Sequence, residues 1–201
     1  MKYDDAIQLD PAWPKPERDA NQMTAKGFVR WSASYFDAAE TLYASQDSQN
    51  RHLFFVGPVM QMTGLSAELA LKALLTGGGA TEKQLRGYNY NTYKAYYAAR
   101  DLFSEEKFID LVFINTAHLK TPAEVIDRYA GQEDDPNIMW RVFFRQLKVL
   151  DDVYDRPFKS RYVTPGAIAV PEPYIILVGV KLLLNAMLQR LDLPLVQDTD
   201  S

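Results

Sequence analysis

The chain has 201 residues, with 22 Lys and Arg against 26 Asp and Glu, a formal net charge of −4 and two histidines. Hydrophobic residues at 47% and charged ones at 24% describe an ordinary folded domain, which excludes a disordered chain and a histone-like polycation. Cysteine is absent, which excludes a disulfide scaffold, a zinc ribbon, an iron–sulfur site and a thiol nucleophile; a chain of this length buries roughly 70% of its unfolded surface around one core and needs no such staple.

Residues 1–20 contain Pro11, Pro14 and Pro16 and read as an extended arm anchored by Trp13, wrapping either its own domain or a neighbour. One helical domain is expected over 21–192. From about Asn21 to Ser45, Phe28, Trp31, Tyr35, Ala38 and Leu42 recur at steps of three and four, the pattern of an amphipathic helix. After the polar turn Gln46 to Asn50, a second helix runs to Thr76, with Pro58 at its start or at a kink one turn in, and Gly77 to Gly79 stop it. This helix is apolar or small on nearly every side, as the central rod of a bundle would be. Thr63, Ser66, Ala70, Ala73 and Gly77 form a small-residue stripe along it, and Gln61, Gly64, Glu68 and Lys72 form a narrow polar seam elsewhere on it.

Thr81 and Gln84 form a capping box that opens a short helix ending near Gly87. Asn91 caps a third long helix reaching about Phe103, and the cluster Phe108 to Ile114 is assigned to a further helix within 104–119. Thr121, Pro122 and Glu124 supply a cap, first residue and third residue for a short helix over 122–130. Asp135 and Pro136 repeat that signal, and Trp140, Phe143, Leu147, Leu150 and Tyr154 carry one helix onward until Pro157. A loop covers 157–172, an apolar helix runs from Pro173 to Leu191, and residues 193–201 form a loose tail. The expected fold is all-α, a bundle of about five long helices with short connecting ones. No stretch reads as a membrane span or signal peptide, so a cytoplasmic protein without membrane contact is expected.

The residues narrow the chemistry. His52 and His118 share no metal-ligand spacing, so no metal and no cofactor are expected. Asp151 and Asp155 lie one turn apart and could hold Mg²⁺, but a solvated helix end explains them more simply. The triglycine lacks the continuation of a phosphate loop, and no Gly-x-Ser-x-Gly elbow is present. Glu68 and Lys72 stand out: an acid and a base four residues apart, in the favourable order, on a helix that otherwise looks buried. Either they form a structural ion pair between helices, or they border a polar groove. Tyr88, Tyr90, Tyr93, Tyr96 and Tyr97 crowd ten positions, and Tyr93, Tyr96, Tyr97 and Arg100 share a helical face that is either core or a platform for a base. Arg141, Arg145, Lys148, Arg156, Lys159 and Arg161 make a locally basic stretch that is either a solvated face or a contact for phosphates.

The segment Gly64-Leu-Ser-Ala-Glu-Leu-Ala-Leu-Lys-Ala-Leu-Leu75 with the glycine break after it resembles the Glu-Leu-x-Leu-Lys-x-Leu helix of bacterial HEPN-like proteins. Phe158 to Tyr162, the proline-bearing loop and the last apolar helix are similar to the Arg-Tyr segment and final helix of that group, and the resemblance spans about 22–190. It implies an all-α bundle, often a homodimer, whose members cleave RNA without metal, bind nucleotides beside a nucleotidyltransferase, or recognise protein partners. Cleaving members carry an Arg, then four to six residues, then a His. This chain departs from that pattern: Arg51 directly precedes His52, Arg100 lies 18 positions before His118, and the nearest imitation, Arg86 with Asn91, has no imidazole.

The expectation is therefore a homodimeric HEPN-like bundle with no catalytic residue, binding a nucleotide, RNA or a protein partner, with a nucleotidyltransferase or antitoxin as companion in a toxin–antitoxin or defence setting. Its expected pocket is formed by Glu68 and Lys72 as the polar wall, Tyr88 and Asn89 for hydrogen bonding or stacking, and Arg161, next to Tyr162, for positive charge. The alternatives are a degenerate ribonuclease using Arg86, Asn91 and Tyr88, and a purely structural homodimer joined through the arm or the small-residue stripe.

Overall fold

The structure, a computed structural model, describes residues 6–16, 23–45, 56–131, 133–155 and 169–196. Among these residues the chain is an all-α helical bundle: α1 Ala25–Ala44, α2 Val56–Gly77, α3 Glu82–Tyr88, α4 Thr92–Ala99, α5 Glu105–Asn115, α6 Ala123–Arg128, α7 Pro136–Arg141, α8 Phe143–Tyr154 and α9 Pro173–Arg190. The sole extended pairing among them is an isolated bridge between Leu9 and Phe103.

The small-residue stripe of α2 is used within the chain. The most extensive helix pairing is α1 with α2, and at its centre Ser32 and Ser66 exchange bonds, each hydroxyl donating to the other's carbonyl at 2.7 and 3.1 Å. Hydroxyls this short reach a neighbouring backbone only when two helices approach closely, which residues without bulk permit. At the end of the stripe Gly77 leaves room for the Trp13 indole: a Cβ there would lie 2.0 Å from Nε1. Trp13 is 1% exposed, and its Nε1–H donates to Leu74 O at 3.0 Å, so the indole is buried with its polar atom satisfied. The arm thus wraps its own domain over the described residues 6–16. Arg190 Nε closes it from α9 by donating to Trp13 O at 2.9 Å.

Three helix boundaries differ from the sequence expectation. The third long helix stops at Ala99 and passes through a 3-10 turn, Arg100–Leu102, into extended Phe103. The arm is the reason: Asp10 N–H donates to Leu102 O and Ser104 N–H to Gln8 O, both at 2.9 Å, taking backbone groups that a longer helix would have kept for itself. The helix expected to run unbroken from Pro136 is interrupted at extended Val142. The break turns Phe143 inward against Gly179, where a Cβ would lie 2.2 Å from the ring, while α7 buries no residue. Thr121 does not cap α6; its hydroxyl donates to Asn137 Oδ1 at 2.8 Å, and Pro122 stands at the cap position. The caps at Thr24, Thr81, Asn91 and Asp135 form locally, those at Thr81, Asn91 and Asp135 as the sequence indicates.

The tail, expected to be loose, begins docked: Leu193 N–H donates to Leu188 O at 2.9 Å and Val196 N–H to Asn185 Oδ1 at 3.0 Å. No helix among the described residues is long and apolar enough to cross a membrane.

Candidate functional site

Helix α2 places Glu68 and Lys72 one turn apart on the same side, and they do pair. Lys72 Nζ donates to Glu68 Oε1; Glu68 is 7% exposed and the Lys72 side chain 17%. The second carboxylate oxygen, Oε2, accepts the hydroxyl of Tyr154 at 2.6 Å, and Tyr154 is fully buried at the end of α8. Burying a carboxylate is costly unless both oxygens are satisfied; an ammonium and a phenol from two different helices do so here. The ammonium keeps donors in hand, since one of its three N–H bonds serves Glu68.

The seam expected on α2 contains the reason this meeting is possible. Gly64 lies one turn before Glu68, and a Cβ on it would sit 2.4 Å from Cδ2 of the Tyr154 ring. The ring therefore lies flat against the α2 backbone, with its hydroxyl carried on to Glu68. Sequence reasoning missed Tyr154, which fits the apolar spacing of α8 and reads as core. The available signal was Gly64 itself, because a glycine in a helix interior costs about 1 kcal/mol relative to alanine and marks a close approach.

Asp151, one turn before Tyr154, faces the start of α4. Its Oδ1 accepts from Thr92 N–H at 2.8 Å and from the Thr92 hydroxyl at 2.6 Å, and its Oδ2 accepts from Tyr93 N–H at 2.9 Å. This corrects the reading of Asp151 as part of a solvated helix end: it is a half-buried acid closing the N-terminus of a helix 59 residues away in sequence. Burial pushes its carboxyl up from 3.8 to about 6, against the three hydrogen bonds, which favour the charged form; the charge of Asp155 adds to the rise. The Tyr90 ring meets the Tyr154 ring edge-on at 5.9 Å, so the turn between α3 and α4 is joined to the same cluster.

Tyr88 and Asn89 belong to that turn. Tyr88 is half-buried against the core, and Asn89 is exposed with a left-handed φ of 52°. No side-chain hydrogen bond joins either to Glu68 or Lys72 among the described residues. Arg161 and Tyr162, like His52, lie outside the described residues. The residues that the structure joins are thus Glu68, Lys72 and Tyr154, with the Tyr90 ring against Tyr154, while Asp151, one turn before Tyr154, binds the start of α4. Two of the alternative trio are otherwise engaged: Arg86 pairs with Glu82 on α3, and Asn91 Oδ1 accepts from Lys94 N–H at 2.7 Å as the cap of α4.

The tyrosine face divides. Tyr96 is core, packed on Phe103, Phe108 and Phe143, with its hydroxyl donating to Glu105 Oε1 at 2.8 Å; burial and that acid raise its pKa. Tyr97 is 43% exposed, with Arg100 over its ring at 5.6 Å, and Arg100 also pairs with Glu105 at 3.0 Å. The basic stretch divides where it is described: Arg141 donates to Leu119 O at 2.9 Å and Arg145 to the Tyr129 hydroxyl at 2.8 Å, tying α7 and α8 to their neighbours, while Lys148 is exposed. No cluster of three or more His, Asp or Glu suited to a metal occurs among the described residues.

No family model, curated protein or solved structure matches the chain.

Proposed function

We propose that this is a HEPN-like protein that binds a nucleotide or an RNA end where α2, α8 and the α3–α4 turn meet, and does not cut it. The observation that carries this reading is the buried Glu68–Lys72–Tyr154 network. Replacing a buried ion pair by apolar residues of similar volume is often neutral or stabilising, so an acid and a base on the central helix point to a role besides packing. Glu68 has both oxygens occupied from within and holds Lys72 in one direction, with two donors left over at a half-sealed surface. Such an oriented ammonium suits a phosphate oxygen. In this reading Tyr90, whose ring meets Tyr154 edge-on, and Tyr88 would supply aromatic faces, Asn89 a bidentate amide, and Arg161 with Tyr162 the second cation and a further ring. Arg86 and Asn91 are held by other partners and provide no imidazole, which favours binding over cleavage.

In the same reading the protein is a cytoplasmic homodimer that works with a nucleotidyltransferase or antitoxin. Lys72→Ala and Arg161→Ala each weaken binding of mononucleotides or short RNAs in a titration against a panel, and leave the dimer in sedimentation velocity; unchanged affinity in both variants contradicts the site.

A second reading, protein interaction alone, is favoured by Trp31, which is 55% exposed on the outside of α1 and stacked on Tyr35 at 6.2 Å. Exposed tryptophan is enriched where proteins meet. A dimer with no nucleotide and no RNA bound would select it. The arm and the small-residue stripe no longer serve that reading, because Trp13 and Ser66 are already packed against their own chain.

A further inference from the structure

A cavity of about 380 Å³ lies away from this site, beneath the start of α1 and the end of α2. Its walls are apolar at Pro14, Met23 and Leu191 and cationic at Lys15 and Lys26, and no carboxylate lines it among the described residues. Neither lysine makes a salt bridge among the described residues: Lys15 Nζ donates to Gly78 O at 2.8 Å, and Lys26 is exposed. The twenty-residue α1 starts at the cavity with no acidic residue in its first turn, so the positive end of its dipole is not offset by a carboxylate of its own. Thr76, also in the wall, has a buried hydroxyl with no hydrogen-bond partner among the described residues. The volume is at the small end of the roughly 300–1,000 Å³ typical of ligand pockets, whose common form is an apolar body with a few polar anchors.

From the cavity and its two lysines, which meet no carboxylate among the described residues, we infer that it binds a small amphipathic anion, with the apolar body between Pro14, Met23 and Leu191 and the charged head at Lys26 and Lys15. The head is a phosphate monoester or a carboxylate. The inference does not depend on the function proposed for Glu68 and Lys72.

Calorimetric titration of the full chain with octyl phosphate, octanoate, octanol and octylammonium tests it. At least one of the two anions binds saturably with one site per chain, at least tenfold tighter than octanol or octylammonium; the tighter anion identifies the head. Lys26→Gln, at an exposed position whose loss leaves the fold intact by circular dichroism, weakens that anion about tenfold, the size of one charge-assisted hydrogen bond. Octanol or octylammonium binding as well as the anions, no saturable binding of either anion, or unchanged affinity in both Lys26→Gln and Lys15→Gln would overturn the assignment.

Discussion

Tyr154 ties two helices together through a single hydroxyl. Its donation to Glu68 Oε2 at 2.6 Å is a hydrogen bond to a charged group inside the core, and such bonds contribute roughly 1.5–3 kcal/mol. Tyr154→Phe is expected to lower stability by about 2 kcal/mol in urea unfolding. Lys72→Met, which leaves the carboxylate without its cation, costs a similar amount or more, about 2–3 kcal/mol after allowing for the partial exposure of the lysine. The paired change Glu68→Gln with Lys72→Met recovers most of that loss, since no charge is then left alone.

Asp151 yields a prediction in pH. Its folded carboxyl titrates at about 6, above its ordinary 3.8, so between those values the native state holds a proton that the unfolded chain releases. Its contribution is full below about 3.8 and is lost as pH rises through 6. Asp151→Asn keeps an acceptor for Thr92 and cannot titrate. The stability of the wild type relative to this variant should therefore fall between pH 4 and pH 6; a difference that is flat or rises over that window contradicts the assignment.

At this scale sequence and structure part company in an instructive way. Glu68 and Lys72 were legible because charge on an apolar helix is an anomaly that needs no partner to be noticed. Tyr154 and Asp151 were not, because tyrosine at core spacing and aspartate near a helix end are both unremarkable until partners 86 and 59 residues away are known.

Three helical glycines mark places where a ring from another element lies on the backbone. A Cβ at Gly64, Gly77 or Gly179 would lie 2.4, 2.0 or 2.2 Å from Tyr154, Trp13 or Phe143. Glycine to alanine ordinarily stabilises a helix by about 0.5–1 kcal/mol. Here the sign reverses, and overpacking is expected to cost about 1–3 kcal/mol at each position. Gly87, on α3 with nothing within 4 Å of its Cβ position, is the control and should show the ordinary gain. Thermal unfolding of the four alanine variants decides this.

Helices and most caps were readable because they are set by residues three or four apart. The ends of α4 and α7 were not. Arg100 to Leu102 yields to the arm, and Val142 yields to the pull of Phe143 toward Gly179, and neither force is local.

For the molecule as a whole, the described part of the N-terminal arm, residues 6–16, packs into the core. Trp13 fills the hollow over Gly77, hydrogen-bonds Leu74 O, and is held by Arg190 from the last helix. Trp13→Ala should therefore cost about 3–5 kcal/mol, a large share of the roughly 5–15 kcal/mol by which a domain is stable. The prolines announced an extended segment, yet nothing in their spacing says whose surface it covers.

The central claim is that the ionised pair on α2 exists to hold a ligand. Mass spectrometry of nucleotides and RNA released from the purified protein, compared between wild type and the Glu68→Gln, Lys72→Met double variant of matched stability, tests it most directly. The account predicts a nucleotide or short RNA released from the wild type and absent from the variant. The same release from both, or none from either when each has been supplied with nucleotides and RNA, would contradict it.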